Sequence, residues 1–166
     1  MGESERAYER ALVFLERRDR TEQEVFRKLA EVGFSEETAG ETVSRLREAG
    51  LVNDADYAQR YLEALKNKGR GRLRIAQEMR RKGLPGELVS NTLEDGLFPE
   101  DERVMAAEAA RKCLAGLPEG EDPRKAAAKV SRKLVSLGYT WEVIGHAMRD
   151  AKKEVEVEED DDEVPV

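Results

Sequence analysis

Histidine and cysteine are nearly missing from this 166-residue chain: His146 and Cys113 are the only ones. No Cys/His pairing has metal-ligand spacing, and one cysteine forms no internal disulfide. Cys113 falls at helical spacing from Ala109, Ala110 and Leu117 and reads as a packed, inert thiol. His146 reads as a helix-surface or partly packed histidine. Gly69-Arg70-Gly71 is no phosphate loop, because the lysine and hydroxyl expected after its second glycine are missing. No catalytic residue, metal site or cofactor is therefore expected. Aromatic residues make up only 5% of the chain, which argues against one large core and for small helical units packed on their neighbours. Tyr57, Tyr61 and Phe98 read as core residues rather than as base-stacking platforms. No run approaches the roughly 18 apolar residues of a membrane span, and no signal-peptide-like apolar segment opens the chain. With a single cysteine, this points to a reducing, cytoplasmic setting. Strand signals are weak, since Val155, Val157 and Val164 have no hairpin turn beside them.

Charge is abundant, and its distribution says more than its sum. The formal net charge is −7, but residues 153–166 set one lysine against eight carboxylates and account for all of it. The remaining body is neutral, with 28 basic and 28 acidic side chains. Within it, residues 60–82 hold nine basic side chains against Glu63 and Glu78. The acidic tail has too little apolar content to fold alone and is expected to be disordered.

A repeat organises the rest. VFRKLAEVGFSEETAGETV (25–43), IAQEMRRKGLPGELVSNTL (75–93) and VSRKLVSLGYTWEVIGHAM (130–148) share one helix–glycine–helix pattern. Val25, Ile75 and Val130 lead the copies, and Gly33, Gly83 and Gly138 end their first helices, each with an apolar successor. The offsets are 50 and then 55 residues, a period of tandem structural units. The pattern predicts an all-α, elongated array of three three-helix units over 5–50, 51–97 and 100–152, followed by the tail at 153–166. In the first unit Ala7, Ala11, Leu12 and Leu15 share one helical face over about 5–18. Thr21 with Glu24 reads as a capping box, glycine ends the helix at Gly33, and Ser35 caps the next. Asn53 or Asp54 opens the second unit, and Pro85 suits the first turn of its third helix. The third unit is expected to begin with a helix over 106–117.

One face of each middle helix can be compared across the copies. Arg74, Gln77 and Arg81 fall within a roughly 60° arc opposite Ile75 and Met79, with Arg70 joining them and Lys82 following. The equivalent residues of the third unit are Lys125, Lys129 and Arg132. In the first unit they are Arg20, Glu24, Arg27 and Glu31, so no matching basic face is expected there. Such faces suit phosphates or acidic protein surfaces.

The stretch GLVNDADYAQRYLEALKNKGRGRLRIAQEMRRKGL (50–84) resembles the RecX family of regulatory proteins. The resemblance is carried by the Asn53-Asp54…Tyr57-Ala58 helix start, the Gly69/Gly71 turn, the Arg74-Ile75 pair and the Lys82-Gly83-Leu84 ending, and it extends over roughly 5–150. It implies a non-catalytic protein that binds the RecA–DNA filament and inhibits its ATPase, strand-exchange and co-protease activities. The proposed contact residues are Arg70, Arg74, Gln77, Arg81, Lys82, Lys125, Lys129 and Arg132, with DNA met through the filament or weakly alone, and the chain is expected to be a monomer. Two other readings remain open from the residues: a helix-turn-helix-like DNA-binding protein, and a helical-repeat adaptor for another protein.

Overall fold

The computed structural model describes residues 1–161, with side chains in the last helix as far as Glu154 and at Val157. Among the described residues all regular structure is helical, in nine helices with no strand. They are α1 (Glu3–Glu16), α2 (Glu22–Glu31), α3 (Glu36–Glu48), α4 (Asp54–Asn67), α5 (Arg72–Arg81), α6 (Gly86–Gly96), α7 (Pro99–Ala115), α8 (Pro123–Leu137) and α9 (Trp141–Asp161). The chain forms two compact units, divided within α4, α5 and α6. The first holds Met1–Leu62 and Gln77–Thr92, the second Glu63–Ala76 and the chain from Leu93 onward.

In the first unit, the apolar stripes of α1, α2 and α3 meet through Ala7, Ala11, Val25, Leu29, Ala39, Val43 and Leu46, with Val52 beside them. Leu29 and Leu46 are fully buried, each stabilising the unit by about 1.5–3 kcal/mol relative to exposure. The predicted caps form. The Thr21 hydroxyl accepts the Glu24 N–H at 3.1 Å, and the Ser35 hydroxyl accepts the Thr38 N–H at 3.1 Å. The capping box is half made, because the Glu24 carboxylate turns to Arg18 and Arg20 instead. Asn53 caps α4 through the Asp56 N–H. Asp54 instead caps α2, its carboxylate accepting the Glu22 N–H at 2.9 Å. The buried Thr21 hydroxyl also donates to the Lys82 carbonyl at 2.7 Å, fastening the Lys82-Gly83 turn onto the start of α2.

The second unit repeats that fastening by other means. The Gly71 N–H, at the position equivalent to Thr21, donates to the Leu137 carbonyl at 2.8 Å, and the Leu73 N–H donates to the Gly138 carbonyl at 3.0 Å. A Cβ on Gly71 would lie 2.6 Å from main-chain atoms of Gly138 and Tyr139. Gly138 ends α8 in the left-handed conformation, with φ +92. The buried Tyr139 hydroxyl donates to the Gly69 carbonyl at 2.6 Å. Burial pushes its pKa well above the ordinary tyrosine value, and Glu102 and Glu108 add to the shift. Its core joins Ala106 and Ala110 of α7, Val130, Leu134 and Leu137 of α8, and Val143, Ile144 and Ala147 of α9. Glu102, 4% exposed, accepts the Arg72 N–H at 3.1 Å, placing a carboxylate at the positive end of α5.

Several expectations need correction. α7 begins at Pro99 rather than 106 and ends at Ala115: Phe98 is extended at its N-cap, proline fits its first turn, and Glu100, Asp101 and Glu102 favour the helix dipole there. Phe98 is consequently 51% exposed, not core. Pro85 precedes α6 and caps it with its carbonyl, which accepts the Val89 N–H. Helix α9 extends past 152 to Asp161, into the acidic run, while 162–166 lie outside the described residues. Lysine and glutamate are good helix formers, and Arg111 of α7 pairs with Glu154 at 2.8 Å. Lastly, α8 starts at Pro123, ahead of Ala126, the counterpart of Thr21 and Gly71, and the Ala126 N–H is bonded within its own helix to the Asp122 carbonyl.

Candidate binding surface

A basic concavity lies in the second unit, a groove of about 410 Å³. Lys66, Lys68 and Arg70 from the end of α4 and its following turn, Lys112 from α7 and Lys133 from α8 surround it, and Glu108 is the one carboxylate among its lining residues. Met105, Ala109, Cys113 and Leu137 give it an apolar floor. Local sequence explains the convergence. Lys66-Asn67-Lys68 closes α4, where cations oppose the negative helix end. The turn is then held by the Tyr139 hydroxyl on the Gly69 carbonyl. Lys66 is partly committed, donating to the Gly96 carbonyl at 3.0 Å and pairing with Glu63 at 3.4 Å. Lys112 pairs with Glu108 at 3.2 Å, but both side chains are exposed, so the pair is weak and screened. Lys68 and Lys133 are exposed. Five cations around one carboxylate attract anions, with a strength that falls as salt rises.

The residues proposed from sequence fall in both units. Arg70 lines the groove. Arg74 is half-buried, its main chain pressed against Gly138: a Cβ on Gly138 would lie 2.4 Å from the Arg74 nitrogen. Lys125, Lys129 and Arg132 are exposed along α8, with Lys129 held by Glu121 at 3.0 Å. In the first unit, Gln77 and Arg81 are exposed, and Arg81 pairs with Glu78 at 3.7 Å. Lys82 is half-buried, its ammonium 5.9 Å from the centre of the Tyr61 ring. Lys66, Lys68, Lys112 and Lys133 were missed by the helical-face comparison: the first three come from the end of α4, its turn and α7, and Lys133 of α8 is not at an equivalent position. Lys66 and Lys68 lay within the basic excess of 60–82, but Lys112 and Lys133 had no such signal.

Nothing in this surface resembles a reaction centre. Among the described residues no group of three or more His, Cys, Asp and Glu side chains is placed to hold a metal ion. The two ring nitrogens of His146 each lie 3.0 Å from an arginine, Arg103 and Arg149. Cys113 is partly buried against the core of its unit. No helix among the described residues is long and apolar enough to cross a membrane.

Comparison with known proteins adds the family. Residues 7–46 match the model of the RecX first three-helix domain, and residues 53–93 that of the RecX second three-helix domain. A regulatory protein RecX of Mycolicibacterium vanbaalenii is 34% identical over 138 residues, covering 82% of this chain and 73% of that protein. One of Geobacillus thermodenitrificans is 30% identical over 155 residues, covering 93% of this chain but 57% of its longer relative. The crystal structure of RecX from Lactobacillus salivarius superposes with a TM-score of 0.81 at 21% identity, covering 90% of this chain and 96% of that one, a likeness of fold. Matched by two domain models of one family and by relatives along most of its length, the chain belongs to the RecX family of regulatory proteins.

Proposed function

We propose that this protein regulates the RecA recombinase by binding, as a monomer, to the RecA–DNA filament and restraining its ATPase, strand-exchange and co-protease activities without chemistry of its own. Family membership supports the choice of partner. The observation that carries the mode of action is the groove of five cations around one carboxylate, which suits the phosphate- and carboxylate-rich surface of a nucleoprotein filament. Arg70, Arg81, Lys82, Lys125, Lys129 and Arg132 are proposed as further contacts, with Gln77 among them. Arg74 is proposed among these contacts as well.

The test is RecA's DNA-dependent ATPase, titrated with this protein at two salt concentrations. Inhibition at substoichiometric amounts is expected, with Lys68→Glu combined with Lys133→Glu weakening it about ten-fold while helicity stays unchanged. Absence of inhibition at both salts would remove RecA from the reading. A second reading, direct binding to duplex DNA, is favoured by the same groove charge. Tight binding to naked DNA, falling with a slope of about −0.9 in log[salt] for each phosphate neutralised, would select it if RecA's ATPase is unaffected.

A further inference from the structure

The first repeat, whose middle helix has no matching basic face in the sequence, has a basic pocket elsewhere. Arg10, Val13, Phe14 and Arg17 recur at i, i+3, i+4 and i+7 on α1 and share one helical face. Arg17 stands at the end of that helix, and Arg20 and Lys28 reach the same place from the loop before α2 and from α2 itself. Together these six residues line a pocket of about 180 Å³ containing four cations and no carboxylate. The volume is below that of a drug-sized site, so its ligand is small or a small part of something larger.

Its best-fixed cation is Arg20. The side chain is 12% exposed, with its guanidinium carbon 4.1 Å from the Phe14 ring centre. Glu24 holds it at 3.4 Å, while Lys28 lies 5.9 Å from the same ring centre. The Arg20 Nε and the Glu24 Oε1 are both buried with no hydrogen-bond partner. Glu24 is shared with Arg18 and lies outside the lining, so it neutralises only part of the charge. Arg10 and Arg17 are exposed and have no ion pair among the described residues. A planar guanidinium fixed by ring stacking loses little entropy on binding an oxyanion, and arginine matches phosphate oxygens in pairs.

From this arrangement we infer that the pocket is a phosphate-binding site, taking one phosphate group between Arg10, Arg17, Arg20 and Lys28. The group can come from a free nucleotide or inorganic phosphate, or from a nucleic-acid backbone. The site lies in the first unit and the groove proposed for filament binding in the second, and the site does not depend on RecA.

The test follows arginine side-chain N–H resonances of the full chain by NMR during separate titrations with inorganic pyrophosphate, a single-stranded thymidine 20-mer and poly-glutamate. Saturable shifts of Arg17 and Arg20 are expected with at least one phosphate ligand, and Arg10→Ala combined with Arg17→Ala should weaken that binding at least ten-fold. Shifts with pyrophosphate identify a free-phosphate site, and shifts with the oligonucleotide alone identify a backbone site. Equal shifts with poly-glutamate would overturn the phosphate assignment in favour of an acidic protein. An unshifted Arg20 with both phosphate ligands, or full affinity in the double variant, would overturn the site itself.

Discussion

At the start of α2 a threonine hydroxyl reaches the carbonyl of Lys82, and at the equivalent start of α5 a glycine N–H reaches the carbonyl of Leu137. One docking is thus built twice: a glycine turn is seated on the first turn of a middle helix, where N–H groups lack partners inside the helix. With a side chain in the seat, the hydroxyl carries the hydrogen bond, and the glycine of the turn lies against Gln23. Without one, main chain meets main chain, and Gly138 lies against the Arg74 backbone. The repeat therefore preserves a hydrogen-bonding task rather than a residue. Both seats are tight: a Cβ on Gly83 would lie 2.5 Å from the Gln23 Cβ, and one on Gly138 would lie 2.3 Å from the Arg74 Cβ.

Substitutions can break or sharpen this contrast. The largest effect is expected for Gly138→Ala, which adds a Cβ 2.3 Å from the Arg74 Cβ and 2.4 Å from its nitrogen while keeping φ at +92. Left-handed strain of about 1–2 kcal/mol and overpacking of about 1–3 kcal/mol together predict a loss of about 3 kcal/mol in urea unfolding. Gly33→Ala is the control: φ is +101 there, but nothing lies within 4 Å, so only the strain of about 1–2 kcal/mol remains. Equal losses in the two variants would contradict the backbone contact as the source of the difference. Thr21→Val ranks next. It leaves the Lys82 carbonyl and the Glu24 N–H without the hydroxyl, at about 1–3 kcal/mol, and Thr21→Ser should recover most of that loss on the same denaturation curve.

Asp54→Asn should have the smallest effect and sharpen the first docking by charge alone. Burial raises the Asp54 pKa above 3.8, outweighing the Glu22 N–H it accepts and the nearby Arg47. A raised folded-state value means that its protonated form fits the fold better. Its contribution is fully favourable below about pH 3.8 and is lost as pH rises through the higher folded value. Asparagine keeps the acceptor without the charge. At pH 7 the variant should match or slightly exceed the parent in urea midpoint, with its advantage shrinking as pH falls below 4. A clear loss at pH 7 would show that the carboxylate charge itself caps α2.

Much of this fold was legible in the chain. Gly33, Gly83 and Gly138 all adopt positive φ at the ends of their helices, and Thr21, Ser35 and Asn53 cap as their spacing implied. These are local effects, decided within four residues. The start of α7 was missed because its apolar periodicity begins only at Ala106, while proline and three carboxylates extend the helix upstream. The helical face of α5 was read correctly as a face, but Arg74 is fixed by a glycine 64 residues away. Neither basic concavity was visible, because each gathers cations from several segments whose meeting depends on the core beneath them.

The early start of α8 has a last consequence. A glycine turn seated on an open helix start is a head-to-tail contact, and such contacts continue from molecule to molecule unless something ends them. The exposed turn at Gly33 is a free head. In the third copy the Ala126 N–H is already bonded to the Asp122 carbonyl, because α8 begins three residues earlier, at Pro123. The third copy thus lacks, at Ala126, the open helix start that seats a glycine turn at Thr21 and Gly71.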